Sequence, residues 1–226
     1  MTTGQLSEAM SLTNRYLEAD SENAGAWRLR GRLYRLMNDS AKAVDDLQRS
    51  KSLAPNAAIS LELASLYIET KQIDAAIGEL ITGLQSPQAP LQLRLMLESL
   101  YQRNNRLSDL ERFYAQNIQT FPDSPFWYYR AGQFYLSQKN APQAVSFIKN
   151  GWEITRRQNA VDPASLNLYL SALIQNQQYN DAITAASEWV DNPLAPVAYA
   201  HMANAQLKLG QKDKAESFFF TALDKA

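Results

Sequence analysis

Cysteine is absent from this sequence of 226 residues, and histidine occurs once, as His201. Without cysteine there is no disulfide framework, no thiolate metal site and no cysteine nucleophile. A single histidine leaves most hydrolase and metal-enzyme arrangements without a base or a set of ligands. We therefore expect no catalytic residue, no metal site and no cofactor, and we expect His201 to have a structural role.

Charge of one sign and long apolar runs are also scarce. Lys and Arg number 22 against 23 Asp and Glu, so the basic field typical of nucleic-acid-binding proteins is missing. No run approaches the roughly 18 apolar residues of a spanning helix, and residues 1–5 lack the start of a secretory signal. We expect a soluble chain, cytoplasmic or periplasmic, without nucleic-acid binding or direct membrane insertion.

What the sequence does contain is an internal repeat. A small or short apolar residue recurs at intervals of 34, 33, 34, 34, 38 and 33 residues, at Ala9, Ala43, Ala76, Leu110, Ala144, Ala182 and Ala215. Other residues keep the same spacing, namely Gly31, Ala64, Gly132 and Ala203, then Tyr34, Tyr67, Tyr101 and Tyr135, and then Pro55, Pro122 and Pro193. The pattern predicts two amphipathic helices per unit, the second closed by a proline.

These residues resemble the tetratricopeptide repeat family. The first full unit carries the family's residues at Trp27, Gly31, Tyr34, Ala43 and Pro55. It departs at position 30, where Arg replaces the expected Leu, and later units depart with Leu110 and Leu170 in place of small residues. The resemblance implies an all-α, right-handed superhelical solenoid of antiparallel helix pairs, acting as a protein-interaction scaffold and not as an enzyme.

The repeat predicts a single solenoid over residues 1–226. It consists of a lone helix at 5–19 followed by six units, at 24–56, 57–90, 91–124, 125–162, 163–195 and 196–226. Extra residues in the fourth unit, at 156–162, predict a longer second helix followed by a short turn before Pro163. Asp45 and Asp46 are interpreted as part of a solvated helix surface.

Both ends of the chain show unusual features. The last helix contains Phe218, Phe219 and Phe220, of which we expect Phe218 or Phe220 to stay exposed and to support self-association. The first helix resembles the second half of a unit. Two interpretations stay open, a natural protein with frayed ends and a piece of a longer array.

The family resemblance also implies that the first helices of successive units line a concave groove that holds a partner's peptide or helix. Its inward positions correspond to Arg28, Arg32, Arg35, Ser65, Glu69, Gln92, Ser99, Gln102, Arg103, Phe126, Tyr129, Gln133, Asn167, Ser171, Gln175, Val197, Asn204 and Lys208.

The predicted groove changes in character along the chain. Arg28, Arg32 and Arg35 share one helix face, and residues 27–38 contain no carboxylate that neutralises them, which favours an acidic partner segment. The alternative is that these arginines only solvate the helix. Phe126 and Tyr129 are the candidate binding aromatics, against the alternative that they belong to the core.

The family resemblance suggests several kinds of complex in which such a scaffold acts, but it does not identify the one to which this chain belongs. One hypothesis is a scaffold in a bacterial envelope, secretion or polysaccharide-export complex, as a fragment of a larger protein. The other is a docking or regulatory region of a larger enzyme whose catalytic domain lies outside these residues. The carboxylate-clamp co-chaperones of the family are disfavoured, because Glu62, Gln92 and Met96 stand where they carry Asn, Lys and Arg.

Overall fold

A computed structural model describes residues 3–226, and in that range it contains thirteen α-helices and no strand. The predicted all-α fold is confirmed. The helices are α1 (Thr3–Ala19), α2 (Ala24–Leu36), α3 (Ser40–Leu53), α4 (Ala57–Glu69), α5 (Ile73–Gly83), α6 (Leu91–Arg103), α7 (Leu107–Thr120), α8 (Pro125–Ser137), α9 (Ala141–Arg157), α10 (Pro163–Gln175), α11 (Tyr179–Ser187), α12 (Ala195–Lys208) and α13 (Lys212–Asp224). None of these helices is both long and apolar enough to cross a membrane.

The turns between paired helices share one backbone conformation. Each contains a residue with φ between 53° and 78°, which ends the first helix by leaving the right-handed path. This residue lies five positions before each recurring small residue from Ala43 onward, from Asn38 before Ala43 to Gly210 before Ala215. The other four are Lys71, Asn105, Lys139 and Gln177. The repeat in the sequence is therefore also a repeat in backbone structure.

The contacts divide the chain into two compact units, Met1–Leu110 and Glu111–Ala226. In the first unit, each helix from α1 to α5 packs against the next one along the chain. Gly31 on α2 lies against α3, where an added Cβ would be 3.0 Å from Leu47 Cγ and 3.2 Å from the carbonyl oxygen of Ala43. This close approach explains why the repeat requires small residues at these positions.

Asp46 corrects one expectation, because it is buried and not part of a solvated surface. Its carboxylate accepts hydrogen bonds from Arg30 at 2.7 and 2.9 Å, and Arg30 also donates to Asn14 at 3.0 Å. The hydrogen bond from Arg30 to Asp46 raises the pKa of the guanidinium in spite of its partial burial. The charge of the unusual Arg at position 30 is thus balanced by the Asp46 carboxylate on α3. The Arg30 guanidinium also lies 4.6 Å from the centre of the Trp27 ring.

In the second unit, α8 packs on α9, α10 contacts α9, α11 and α12, and α12 packs on α13. An added Cβ at Gly132 of α8 would lie only 2.3 Å from Ile148 Cγ1 of α9. Trp152 of α9 stacks on Tyr169 of α10 at 5.0 Å and meets Trp189 edge-on at 5.7 Å. These contacts form one continuous core in this unit.

The extra residues of the fourth predicted unit lengthen its second helix. Helix α9 has 17 residues, and a short turn then leads to Pro163 at the start of α10, so this prediction is confirmed. The grouping of all helices into one domain of six units stays a prediction.

Candidate functional site

A cleft of about 460 Å³ lies between α8 and the first turns of α10 in the second unit. We call it the α8/α10 cleft. It brings together four predicted groove residues, Phe126, Tyr129, Gln133 and Asn167. The other residues that line it are Arg130, Asp162, Ala164, Ser165 and Leu168.

The aromatic wall of the cleft is formed by side chains of α8, and their positions along the helix decide which of them face the cleft. Successive helical residues are turned by about 100°, so Phe126 and Trp127 point in different directions. Trp127 is buried and meets Phe113 edge-on at 5.7 Å. Phe126 leaves 37% of its surface exposed, packs edge-on against Trp127 at 4.9 Å and lies 5.4 Å from the guanidinium of Arg130.

The position of the Tyr129 side chain is set by two residues of α9. Its hydroxyl is 2.8 Å from Thr155 Oγ1 on α9, and Thr155 donates to the carbonyl oxygen of Gly151 at 2.9 Å. A Cβ at Gly151 would lie 2.9 Å from the Tyr129 ring, so only glycine leaves room for this ring position. Burial raises the pKa of Tyr129 more than the Thr155 hydrogen bond lowers it, which keeps the phenol neutral.

The opposite wall of the cleft is the N-terminal turn of α10. Asp162 caps this helix by accepting from the Ser165 backbone N–H at 2.7 Å, while the Ser165 hydroxyl donates to the Asp162 carbonyl oxygen at 2.9 Å. Hydrogen bonds from the backbone and side chain of Ser165 lower the pKa of Asp162. The cleft therefore has one ionised carboxylate at its edge.

The side chain of Asn167 is positioned by His201, which lies on α12, the first helix of the next predicted unit. Its Oδ1 is 2.8 Å from Nε2 of His201 on α12, and the Nδ1 atom of His201 is buried without a hydrogen-bond partner. Burial lowers the pKa of His201, so the ring is neutral near pH 7. With Nδ1 as the unprotonated nitrogen, Nε2–H donates to Asn167, which directs the Asn167 amide NH₂ away from His201.

The remaining predicted groove residues of this unit do not line the cleft. Ser171 and Asn204 are half-buried, and Gln175 and Lys208 are exposed at the C-terminal ends of α10 and α12. Val197 is half-buried and packs against the core.

In the first unit, the three predicted groove arginines pair with carboxylates of α4. Arg28 and Arg32 both donate to Glu62, through their Nε atoms at 3.0 and 3.1 Å, and Arg35 donates to Glu69 at 3.2 Å. Burial raises the pKa of Glu62, but the hydrogen bonds from Arg32 and Arg28 outweigh burial and keep that pKa below its usual value. Residues 27–38 contain no carboxylate, and the carboxylates that pair with these arginines are Glu62 and Glu69 of α4.

The other predicted residues of the first unit lie on α4 and α6. Ser65 donates to the carbonyl oxygen of Leu61 in its own helix at 2.8 Å. Ser99 is half-buried, and three side chains are exposed, namely Gln92, Gln102 and Arg103.

Sequence reasoning missed Asp162, Ser165 and His201 as parts of the site. One signal was present in the spacing. The pairs Arg28 and Glu62, Arg35 and Glu69, and Asn167 and His201 are each 34 residues apart, which is one repeat. Polar residues one repeat apart on successive first helices are neighbours, because equivalent positions stack along the array.

No group of three or more His, Cys, Asp or Glu side chains suited to a metal ion occurs in the described part of the chain.

The family model described as a tetratricopeptide repeat matches residues 24–56. No curated protein matches the chain. Among solved structures, the chain is similar to the C-terminal part of a TPR repeat-containing protein from Cytophaga hutchinsonii, with a TM-score of 0.61 and 14% identity over 97% of this chain and 90% of that one.

Two further solved structures have a similar fold. MamA gives a TM-score of 0.55 at 17% identity and covers 75% of this chain and 91% of its own. A chain of the Naa15/Naa10 complex bound to HypK-THB gives 0.64 at 12% identity over 98% of this chain, which spans only 34% of that longer chain.

Proposed function

We propose that the chain is a tetratricopeptide repeat protein that acts as a protein-interaction scaffold, and that its partner binds as a peptide or helix in the α8/α10 cleft. The observation that carries this proposal is the convergence of four groove positions from two successive first helices on one cleft of about 460 Å³. Exposed aromatic side chains in a concave site are frequent binding hot spots.

The polar groups of the cleft suit a peptide better than a strongly charged ligand. The amides of Gln133 and Asn167 can both donate and accept, as the hydrogen-bonding groups of a peptide backbone require. Asp162 and Arg130 contribute one charge of each sign, so the cleft has little net charge. Phe126 offers an apolar contact for one side chain of the partner.

A second contact with the same partner is proposed at the arginine surface of the first unit, defined by Arg28, Arg32 and Arg35. Three guanidiniums face the two carboxylates of Glu62 and Glu69 there, which supports binding of an acidic segment. A carboxylate of the bound segment would replace Glu62 as the partner of Arg28 and Arg32. Arg103 on α6 is exposed and is proposed to belong to the same surface.

The acidic-segment proposal has a direct test with a peptide of alternating Glu and Gly as probe. Glu62→Gln should raise its affinity, because this change frees Arg28 and Arg32, and the triple Ala variant of Arg28, Arg32 and Arg35 should abolish binding. Binding should also weaken when salt is raised from about 50 to 500 mM, since the Debye length shrinks from roughly 14 to 4 Å. Salt-insensitive binding, or no effect of Glu62→Gln, would reject the electrostatic contact.

We place the protein among scaffolds of cell-envelope, secretion or polysaccharide-export complexes. The alternative is a docking or regulatory region of a larger enzyme. Both roles use the chain for binding and not for catalysis. Sequence neighbouring this chain in its gene distinguishes them, because the second role requires an adjoining catalytic domain or a partner enzyme.

The cleft proposal is tested with peptides selected from a random displayed library on the wild-type chain. Phe126→Ala and Asn167→Ala should each weaken a cleft-binding peptide at least about tenfold, as for hot-spot truncations. Phe121→Ala is the matched control, because Phe121 is 38% exposed, close to the 37% of Phe126, and does not line the cleft. Equal losses for Phe121→Ala and Phe126→Ala would contradict a specific site in the cleft.

A further inference from the structure

Each unit exposes one apolar surface that the proposed partner site does not use. In the first unit this is a cleft between α1 and α2 with a volume of about 320 Å³. In the second unit it is a stripe on α13. We call them the α1/α2 cleft, lined by Leu12, Thr13, Tyr16, Asn23, Gly25, Ala26 and Leu29, and the α13 stripe, formed by Phe219, Phe220 and Leu223.

The α1/α2 cleft is concave and mostly apolar. Its large walls are Leu12, Tyr16 and Leu29, which leave between 49% and 57% of their surfaces exposed. Gly25 and Ala26 keep its floor low because their side chains are absent or small. The Asn23 amide donates to the Tyr16 hydroxyl at 3.3 Å, and this contact joins the aromatic wall to the start of α2.

The α13 stripe is convex. Phe219, Phe220 and Leu223 fall on one face of the helix, because residues three and four apart are neighbours on its surface. They are between 44% and 71% exposed. Phe218, the first of the three aromatics, instead packs toward the core, with its ring centre 5.9 Å from that of Tyr199. This contact anchors α13 to the core, with the α13 stripe left exposed.

We propose that the α13 stripe of one copy of this chain docks into the α1/α2 cleft of a second copy. A convex apolar stripe and a concave apolar cleft complement each other in shape. The charges around them are also complementary. Residues 5–22 carry four acidic side chains and one Arg, whereas residues 208–225 carry four Lys and three acidic side chains.

The area of the two surfaces sets the strength of this contact. At about 200 Å² for a fully exposed large side chain, the six apolar residues leave roughly 600 Å² to be covered. Stable interfaces bury roughly 1,200–2,000 Å², so even with neighbouring polar contacts this one is at the weak end. We expect a dissociation constant between about 10 µM and 1 mM.

The contact joins two different surfaces, so each added copy leaves one stripe and one cleft open. Such a heterologous contact gives a series of growing oligomers unless the copies close into a ring. A pair of α13 stripes facing each other would give only a closed dimer. The distribution of masses therefore distinguishes the two arrangements.

The test uses sedimentation velocity on the full chain at up to about 1 mM, where a contact of this strength is populated. The wild type should form species beyond the dimer. Phe220→Glu and Leu12→Glu should each lower self-association at least about tenfold, and an equimolar mixture of the two should form a 1:1 heterodimer and nothing larger. The mixture pairs the intact cleft of the first variant with the intact stripe of the second.

Three results would overturn the proposal. They are a monomeric wild type across the whole range, a mixture without heterodimer, and a Leu12→Glu variant that associates as the wild type does. The last result would assign the contact to two α13 stripes. Far-UV circular dichroism checks that each variant keeps its helical content, and Leu223→Gln replaces Phe220→Glu if that variant loses it.

Discussion

Gly132 gives the sharpest test of why the repeat needs small residues. It lies on α8, where a Cβ would be 2.3 Å from Ile148 Cγ1 and 3.2 Å from the carbonyl oxygen of Ala144. Ile148 is fully buried, so it has little room to move. We therefore expect Gly132→Ala to force the α8 and α9 helices apart or to strain the Ile148 rotamer.

Two opposing contributions set the change in unfolding free energy that Gly132→Ala causes. Overpacking a buried site costs about 1–3 kcal/mol, and replacing Gly by Ala inside a helix contributes about 1 kcal/mol of stability. Because the contact is so short, we expect a net loss of about 1–2 kcal/mol. Ile148→Ala alone should cost about 2–5 kcal/mol by leaving a cavity. In that background the contacts with Ile148 Cγ1 and Cδ1 are gone and the 3.2 Å contact with the Ala144 carbonyl oxygen remains, so Gly132→Ala should stabilise the protein by up to about 1 kcal/mol.

The sign reversal is measured by urea unfolding of the wild type, the two single variants and the double variant, followed by far-UV circular dichroism. Gly78→Ala is the control, because Gly78 is also helical but has no atom within 4 Å of an added Cβ. It should stabilise the chain by about 1 kcal/mol. If Gly132→Ala stabilises the wild type as Gly78→Ala does, the argument from close helix packing fails.

Three further predictions concern the buried charges and the turns. Asp46→Ala should lower the unfolding free energy by about 2–3 kcal/mol, because it leaves the partly buried Arg30 guanidinium without its carboxylate, and adding Arg30→Leu should restore most of the loss in urea unfolding. Because burial lowers the pKa of His201, the unfolded chain takes up the proton first, so stability is full above about pH 6.5 and falls below it. His201→Gln should flatten this dependence in thermal melts between about pH 5 and 8, and an unchanged slope would contradict the neutral, buried ring. Lys139→Gly should raise the melting temperature, because φ is 58° at this turn and glycine adopts positive φ without the strain of about 1 kcal/mol; a lower melting temperature would refute it.

The sequence predicts the helices well because their determinants are local. The spacing of small residues fixes where two helices approach, and the turn residue five positions earlier fixes where the first one ends. The long α9 follows from the interval of 38 residues between Ala144 and Ala182, which is four or five residues longer than the other intervals, and residues 152–157 include no Gly or Pro.

Charge partners were harder to predict, because they come from other helices. The burial of Asp46 depends on Arg30, sixteen residues away on the neighbouring helix, and no pattern within α3 indicates it. Glu62 neutralises Arg28 from the next repeat. The position of the Tyr129 ring was also not predictable from α8 alone, because it depends on the space that Gly151 of α9 leaves for this ring.

Chemical-shift mapping of the ¹⁵N-labelled chain with a library-selected peptide tests the proposed binding site most directly. The account predicts that the side-chain amide signals of Gln133 and Asn167 shift, together with the backbone signals of Phe126 and Tyr129, while the exposed Gln143 on α9 does not. Shifts confined to Gln143 and its neighbours on α9, with the Gln133 and Asn167 amides unchanged, would contradict it.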